Sequence, residues 1–228
     1  MKEIIKPGMF GKSVACDKLR TTFDFQNEQL LFSGRQIDVI FFGDSIMEMW
    51  NTSLAFEGLG FTVNRGIGGD VTEYLLKRAD ADVFQLNPKS IVFLAGINDI
   101  LTCAPNLWWK TEGADKESVI RNANRNICEI MRKCKERGIK GYFCSVLPTD
   151  FCVPYNGFGL EKVILSLNDK IQKSCLEYGM TYVDCYTKLC KDDGLHIKDG
   201  YTYDGVHPNP VCYEIMANLL RGYLANEI

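Results

Sequence analysis

Histidine is scarce in this sequence: 228 residues carry two, His196 and His207, against ten cysteines. No Cys-x-x-Cys pair occurs, and two imidazoles cannot complete a zinc site, so a structural zinc is not expected. The 26 Lys and Arg residues form no run of five and are outnumbered by 29 Asp and Glu, giving a net charge of −3. Such a chain lacks the basic footprint of a nucleic-acid partner. Apolar runs are short; the one at 37–42 is interrupted by Asp38, far from the roughly 20 residues that span a bilayer. The opening MKEIIKPGMFGK has no apolar core of a secretion signal, so a cytoplasmic location with reduced thiols is expected. Cys134, Cys144 and Cys175 fall inside apolar-periodic segments, where cysteine behaves as a small hydrophobe.

What is present is an ordinary globular composition, 46% hydrophobic and 11% aromatic, in a length that suits one domain. Short β-rich runs at 37–42, 61–64, 90–94, 141–146 and 181–184 alternate with helical periods. Ile120, Ala123, Ile127, Ile130, Met131 and Cys134 mark one helix, and Val163, Ile164, Leu167 and Ile171 a second. Val211, Ile215, Met216, Leu219, Leu220, Tyr223 and Leu224 mark the last. This alternation predicts a three-layer α/β/α sandwich on a five-stranded parallel sheet, flavodoxin-like, with any site at the carboxyl ends of the strands. Residues 36–228 form the domain, and residues 1–35 an arm, helical or irregular, packed on it. Connections at 97–118 and 147–160 lack a helical period and, following strands, overhang the same sheet edge.

Four segments at expected strand ends carry residues able to do chemistry. Gly43-Asp44-Ser45 turns from a buried strand into a helix, where Ser45 is either a nucleophile with a helix dipole behind it or, with Asp44, simply a cap. The glycines of Asn64-Arg-Gly-Ile-Gly-Gly-Asp70 let backbone N–H groups approach an anion or oxyanion, although glycine-rich strand-to-helix turns are common. Asn98, in Gly96-Ile-Asn-Asp99, is a side-chain N–H donor or a turn residue. In Asp204-Gly-Val-His207 the carboxylate can accept the Nδ1 proton and leave Nε2 free to take one from a hydroxyl; alternatively Asp204 shapes the turn and His207 caps the final helix. A helix N-terminus there disfavours the imidazolium, so His207 is expected to be neutral near pH 7. His196 lies in a polar stretch and reads as a surface residue.

In this order the four segments resemble the blocks of the SGNH hydrolase superfamily, the GDSL-type lipases and esterases, with Ile46 where the family motif has Leu. The stretch Gly-Ile-Gly-Gly-Asp-Val-Thr is similar to the platelet-activating-factor acetylhydrolase-like branch. The resemblance implies Ser45 as nucleophile, His207 and Asp204 as its partners, and an oxyanion hole from the Ser45 and Gly69 N–H groups and the Asn98 side chain. The resemblance implies ester hydrolysis through an acyl-serine with no metal or organic cofactor, and short-chain or acetyl esters, such as those on carbohydrate, are the favoured substrates. Alternatives are an acyltransferase, thioesterase or lysophospholipase using the same triad, or a non-catalytic anion-binding domain cradling phosphate with residues 66–70. Asp44, Trp108, Trp109 and Tyr155 are candidate substrate contacts, and Phe151 and Phe158 share the second aromatic loop. Those aromatics either stack on a sugar ring or pack down as plugs. The Trp-rich loop also suits burial in a homodimer.

Overall fold

The computed structural model describes residues 3–11, 17–105, 112–151 and 155–225. Its centre is one five-stranded sheet: β1 (Val39–Gly43), β2 (Thr62–Gly66), β3 (Ser90–Leu94), β4 (Lys140–Cys144) and β5 (Thr181–Val183). Every neighbouring pair is parallel, and the order is β2-β1-β3-β4-β5. β1 and β3 are buried along their whole length, which is why they read as unbroken apolar runs instead of alternating ones. The order reverses beside β1, so its carboxyl end and those of β2 and β3 open a crevice at the switch point.

The helices are α1 (Asp17–Ser33), α2 (Ser45–Glu48), α3 (Thr52–Ala55), α4 (Thr72–Asp82), α5 (Ile97–Leu101), α6 (Lys116–Arg137), α7 (Leu160–Tyr178), α8 (Cys185–Leu189) and α9 (Pro210–Leu224). α4, α6 and α7 pack side by side, while α9 packs on α8 and meets the α2–α3 segment through Trp50 and Tyr213, whose ring centroids lie 5.2 Å apart. Right-handed crossovers require this division into two layers. The buried faces of α6 and α7 are those the periodicity predicts. In α9 the buried stripe is Cys212, Met216, Ala217, Leu220 and Leu224, so the face is rotated from the expected one, and Val211 is 55% exposed. Two small residues, Cys212 and Ala217, take the closest approach to the core, a choice that hydropathy alone does not make. The expected loop at 97–118 also begins as helix, because α5 is one short turn, too brief to show a period.

Residues 17–33 of the N-terminal arm form α1, which lies against α4. It is held by charge more than by apolar surface. Arg20, 1% exposed, reaches Asp82 of α4 at 2.5 Å, and Asn27 donates to Asp82 Oδ1 at 2.9 Å. Phe23 packs with Ile67 in a small separate cluster, under the guanidinium of Arg65. The eight described cysteines are all free thiols, seven of them buried. Among the described residues no helix is long and apolar enough to cross a membrane, and no group of three or more His, Cys, Asp or Glu could hold a metal ion.

Candidate active site

β1 ends at Gly43, and the next two residues start α2. Asp44 is the N-cap, its Oδ1 accepting the Ile46 N–H at 3.0 Å, so Ser45 becomes the first helical residue, half-buried at the carboxyl edge of the sheet. Asp44 itself is fully buried. That removes it from the substrate contacts: its side chain has no surface to offer. Burial, then the negative charges of Asp70 and Asp99, push the Asp44 carboxyl from 3.8 to about 7, against the Ile46 N–H bond and Arg78. A folded carboxyl with a raised pKa holds a proton that the unfolded chain releases. Its contribution is therefore complete below pH 3.8 and is lost as pH rises toward 7, at a cost of roughly 4 kcal/mol. Asp44→Asn keeps the cap and abolishes this titration. Its melting temperature is expected to gain on that of the wild type between pH 4 and pH 8; parallel profiles would contradict the assignment.

The glycine loop after β2 folds back onto this turn. Ile67 N–H donates to Gly43 O at 3.0 Å, and Gly68 N–H donates to the Glu48 carboxylate, one turn along α2 from Ser45. A Cβ on Gly68 would lie 2.8 Å from Glu48 Oε2 and 3.5 Å from Ser45 Cβ, so glycine lets the loop close against the serine. Asn98, in the first turn of α5, donates one amide N–H to Asp70 O at 2.9 Å. Among the described residues the Ser45 and Gly69 N–H groups donate to no protein acceptor, and the second Asn98 amide hydrogen is likewise uncommitted. The three N–H donors that the resemblance assigns to an oxyanion hole are thus uncommitted to the protein.

His207 arrives from the opposite side of the chain. Its Nε2 lies 2.9 Å from Ser45 Oγ, and its Nδ1 lies 2.6 Å from Asp204 Oδ2. Asp204 Oδ1 accepts the backbone N–H groups of Val206 and His207 at 3.0 and 2.8 Å, which fixes the carboxylate beneath the ring. Burial alone would raise the Asp204 pKa; the N–H and ring bonds from His207, with that from Val206, outweigh it and hold the group below its ordinary value. The turn depends on Gly205, at φ +87°, where a Cβ would stand 2.0 Å from Asp150 O. Asp150 N–H donates to Gly205 O at 2.8 Å, anchoring the histidine loop to the segment after β4.

The same Asp-Gly-x-His turn occurs a second time. Asp193 Oδ2 lies 2.7 Å from His196 Nδ1, and Asp193 Oδ1 accepts the Leu195 and His196 N–H groups at 2.9 and 3.0 Å. Among the described residues no hydroxyl is hydrogen-bonded to the His196 ring, so the two turns differ in what the imidazole meets: a serine 162 positions away in the chain at His207, and none at His196. The expected surface position of His196 agrees with its partly exposed side chain.

A buried guanidinium that no motif announces ties the parts together. Arg78 of α4, fully buried, donates to Gly43 O at 3.0 Å, to Arg65 O at 2.9 Å and to Asp70 Oδ2 at 2.7 Å. It thereby grips the strand leading to Ser45, the strand leading to the glycine loop, and the residue after Gly69. Asp82 binds both Arg78 and Arg20, extending the network to α1. The available signal was Arg78 and Asp82 set four residues apart among the apolar positions Leu75 and Ala79. A lesser link joins α4 to α5: Thr72 donates its N–H and hydroxyl to Asp99. Of the aromatic candidates, Trp108 and Trp109 lie outside the described residues. Phe151 is buried, with the partly buried Tyr155 packed 6.4 Å away, and Phe158 also packs on the core.

The sequence pattern of the GDSL-like lipase/acylhydrolase family matches residues 41–215, a span that includes Ser45, Gly69, Asn98, Asp204 and His207. The chain belongs to this family. No curated protein matches it. Solved structures with the same fold include a GDSL-like lipase from Bacteroides thetaiotaomicron, at 25% identity and TM-score 0.76, covering 91% of this chain and 98% of that one. A Streptococcus pneumonia protein provisionally described as a platelet activating factor shares 24% identity over 92% of each chain, with TM-score 0.75. An acetyl xylan esterase shares 21% over 82% of this chain and 99% of that one, with TM-score 0.66. The expected α/β architecture is thus the family's own, and this GDSL-like acylhydrolase is an enzyme acting on ester bonds.

Proposed function

We propose that this acylhydrolase is a serine esterase in which Ser45 carries the acyl group, His207 moves the protons and Asp204 orients the imidazole. The observation behind this reading is the continuous relay from Ser45 Oγ to His207 Nε2 at 2.9 Å and from His207 Nδ1 to Asp204 at 2.6 Å. In the first half-reaction Ser45 Oγ attacks the carbonyl carbon as Nε2 takes its proton; the imidazolium then gives that proton to the departing alcohol oxygen. Water repeats the sequence in the second half, releasing the carboxylic acid and restoring the serine. Charge on the carbonyl oxygen is met by the Ser45 and Gly69 N–H groups and the free Asn98 amide hydrogen.

Asn98→Ala removes one donor and the clip on Asp70 O. It is expected to lower kcat for p-nitrophenyl acetate by about 10²–10³-fold while KM changes little. A loss confined to KM would assign Asn98 to ground-state binding instead.

For the acyl side we favour short groups, acetyl first. Phe151, Tyr155 and Phe158, on the loop after β4, pack against the core or one another and are more plug than channel. Rates on p-nitrophenyl acetate, butyrate and octanoate test the point: kcat/KM should fall along the series, and a rise toward octanoate would overturn it.

A further inference from the structure

Beside the proposed site, and using none of its three relay residues, lies a cavity of about 560 Å³ between the α2–α3 segment and α9. Its wall carries Met49, Trp50, Leu54, Tyr203, Pro208 and Tyr213. We infer that this cavity receives the alcohol portion of the ester, and that the alcohol is apolar, an alkyl or aryl group. The inference rests on the serine esterase reading and adds to it the class of leaving group.

Position is the first argument. The cavity is lined by neighbours of the relay from two segments: Met49 sits one helical turn from Ser45, its N–H bonded to Ser45 O at 2.9 Å, and Pro208 follows His207 directly. Tyr203 N–H donates to His207 O at 3.0 Å, so this wall moves with the histidine loop. The imidazolium must deliver its proton to the departing alcohol oxygen, which puts that half of the ester on the histidine's flank. The acyl half, with its carbonyl oxygen toward Gly69 and Asn98, lies on the other.

Chemistry is the second. Among the described residues the polar side chains bordering the cavity have protein partners, except the Tyr203 hydroxyl. Tyr213 OH donates to Ile46 O at 2.7 Å, and Asn51 Oδ1 accepts the Leu54 N–H at 3.2 Å. Arg221 donates to Ala55 O at 3.0 and 2.5 Å and to Glu214 at 3.0 Å. A hydroxyl-rich sugar finds few open partners there, whereas an apolar chain loses nothing by leaving water. Met49, Leu54 and Tyr203 are meanwhile 53%, 70% and 68% exposed, apolar surface that an occupant would cover. The volume falls within the range of small-molecule sites.

The test compares ethyl and hexyl acetate, whose alcohols differ in length but hardly in acidity, with an acetylated xylooligosaccharide as a third substrate. Wild type should favour hexyl over ethyl acetate by about tenfold in kcat/KM. Leu54→Asp and Met49→Gln, at exposed positions, should erase most of that preference while leaving ethyl acetate within about twofold. Equal rates on the two acetates, a preference untouched by both variants, or faster turnover of the acetylated sugar would each overturn the inference. So would a Leu54→Asp variant that sediments as a monomer where wild type is a dimer, with the preference intact, since the patch would then join two copies. In those cases Ser45 would still react with a fluorophosphonate; silence toward both the probe and all three esters would bring down the esterase reading, and this inference with it.

Discussion

Ser45→Ala is expected to lower kcat for p-nitrophenyl acetate by about 10⁴–10⁶-fold, with the fold intact. Ser45 is half-buried at the first position of α2, and the helix is capped by Asp44, not by the serine, so removing one hydroxyl should leave the melting temperature nearly unchanged. His207→Ala should cost nearly as much by itself. The double variant should be hardly worse than either single one, because serine and imidazole act as a unit through the 2.9 Å contact. Steady-state kinetics of the three variants checks this. Losses that multiply would mean that the two residues contribute independently, and the relay would not be how the enzyme works.

Arg78→Leu should be the most damaging substitution outside the relay, destabilising the protein by about 3–5 kcal/mol. The guanidinium is fully buried and donates to four acceptors: Gly43 O, Arg65 O, Asp70 and Asp82. Leucine takes this donor from two buried carbonyls and its positive charge from Asp70, while Asp82 keeps Arg20. Removing one partner from a buried ionic network costs far more than the net value of the network, because the desolvation penalty of the remaining charges is uncovered. Arg78→Lys should rescue little, since one ammonium cannot serve four acceptors spread around a planar fork. Denaturant titration measures the loss, and a lysine variant as stable as wild type would show that charge, not the fork, is what matters. Because Arg78 grips the segments that carry Ser45 and Gly69, folded molecules of the lysine variant should also lose turnover.

The distinction between these two residues explains what was legible in the sequence. Ser45, Gly69 and Asn98 sit just past strand ends, which can be found from apolar runs and glycines, whereas the Asp204–His207 pair lies in the loop before α9 and is found from the start of that helix's period. Each segment alone left open a cap or a turn, and indeed Asp44 caps α2 while Asp204 shapes its turn. Shaping the turn and bonding the imidazole were not alternatives at Asp204, since one oxygen accepts two backbone N–H groups while the other meets the ring. Arg78 was hidden because its importance lies in three backbone carbonyl and carboxylate contacts from segments 8 to 35 residues away. A charged residue on a helix reads as surface until its partners are seen. The α9 face was misplaced for a related reason: hydropathy ranks Val211 above Ala217, yet Ala217 is fully buried and Val211 is 55% exposed. Asp193–His196 shows the converse. Its local turn is as good as that of Asp204–His207, and only tertiary structure, by placing a serine before one histidine and not the other, separates them.

The most direct measurement is intact-protein mass spectrometry after treatment with a serine-directed fluorophosphonate, followed by peptide mapping. One equivalent should add, on Ser45 alone, and both Ser45→Ala and His207→Ala should abolish it. Labelling at another residue, or full labelling of Ser45 when His207 is absent, would contradict a nucleophile at Ser45 activated by His207.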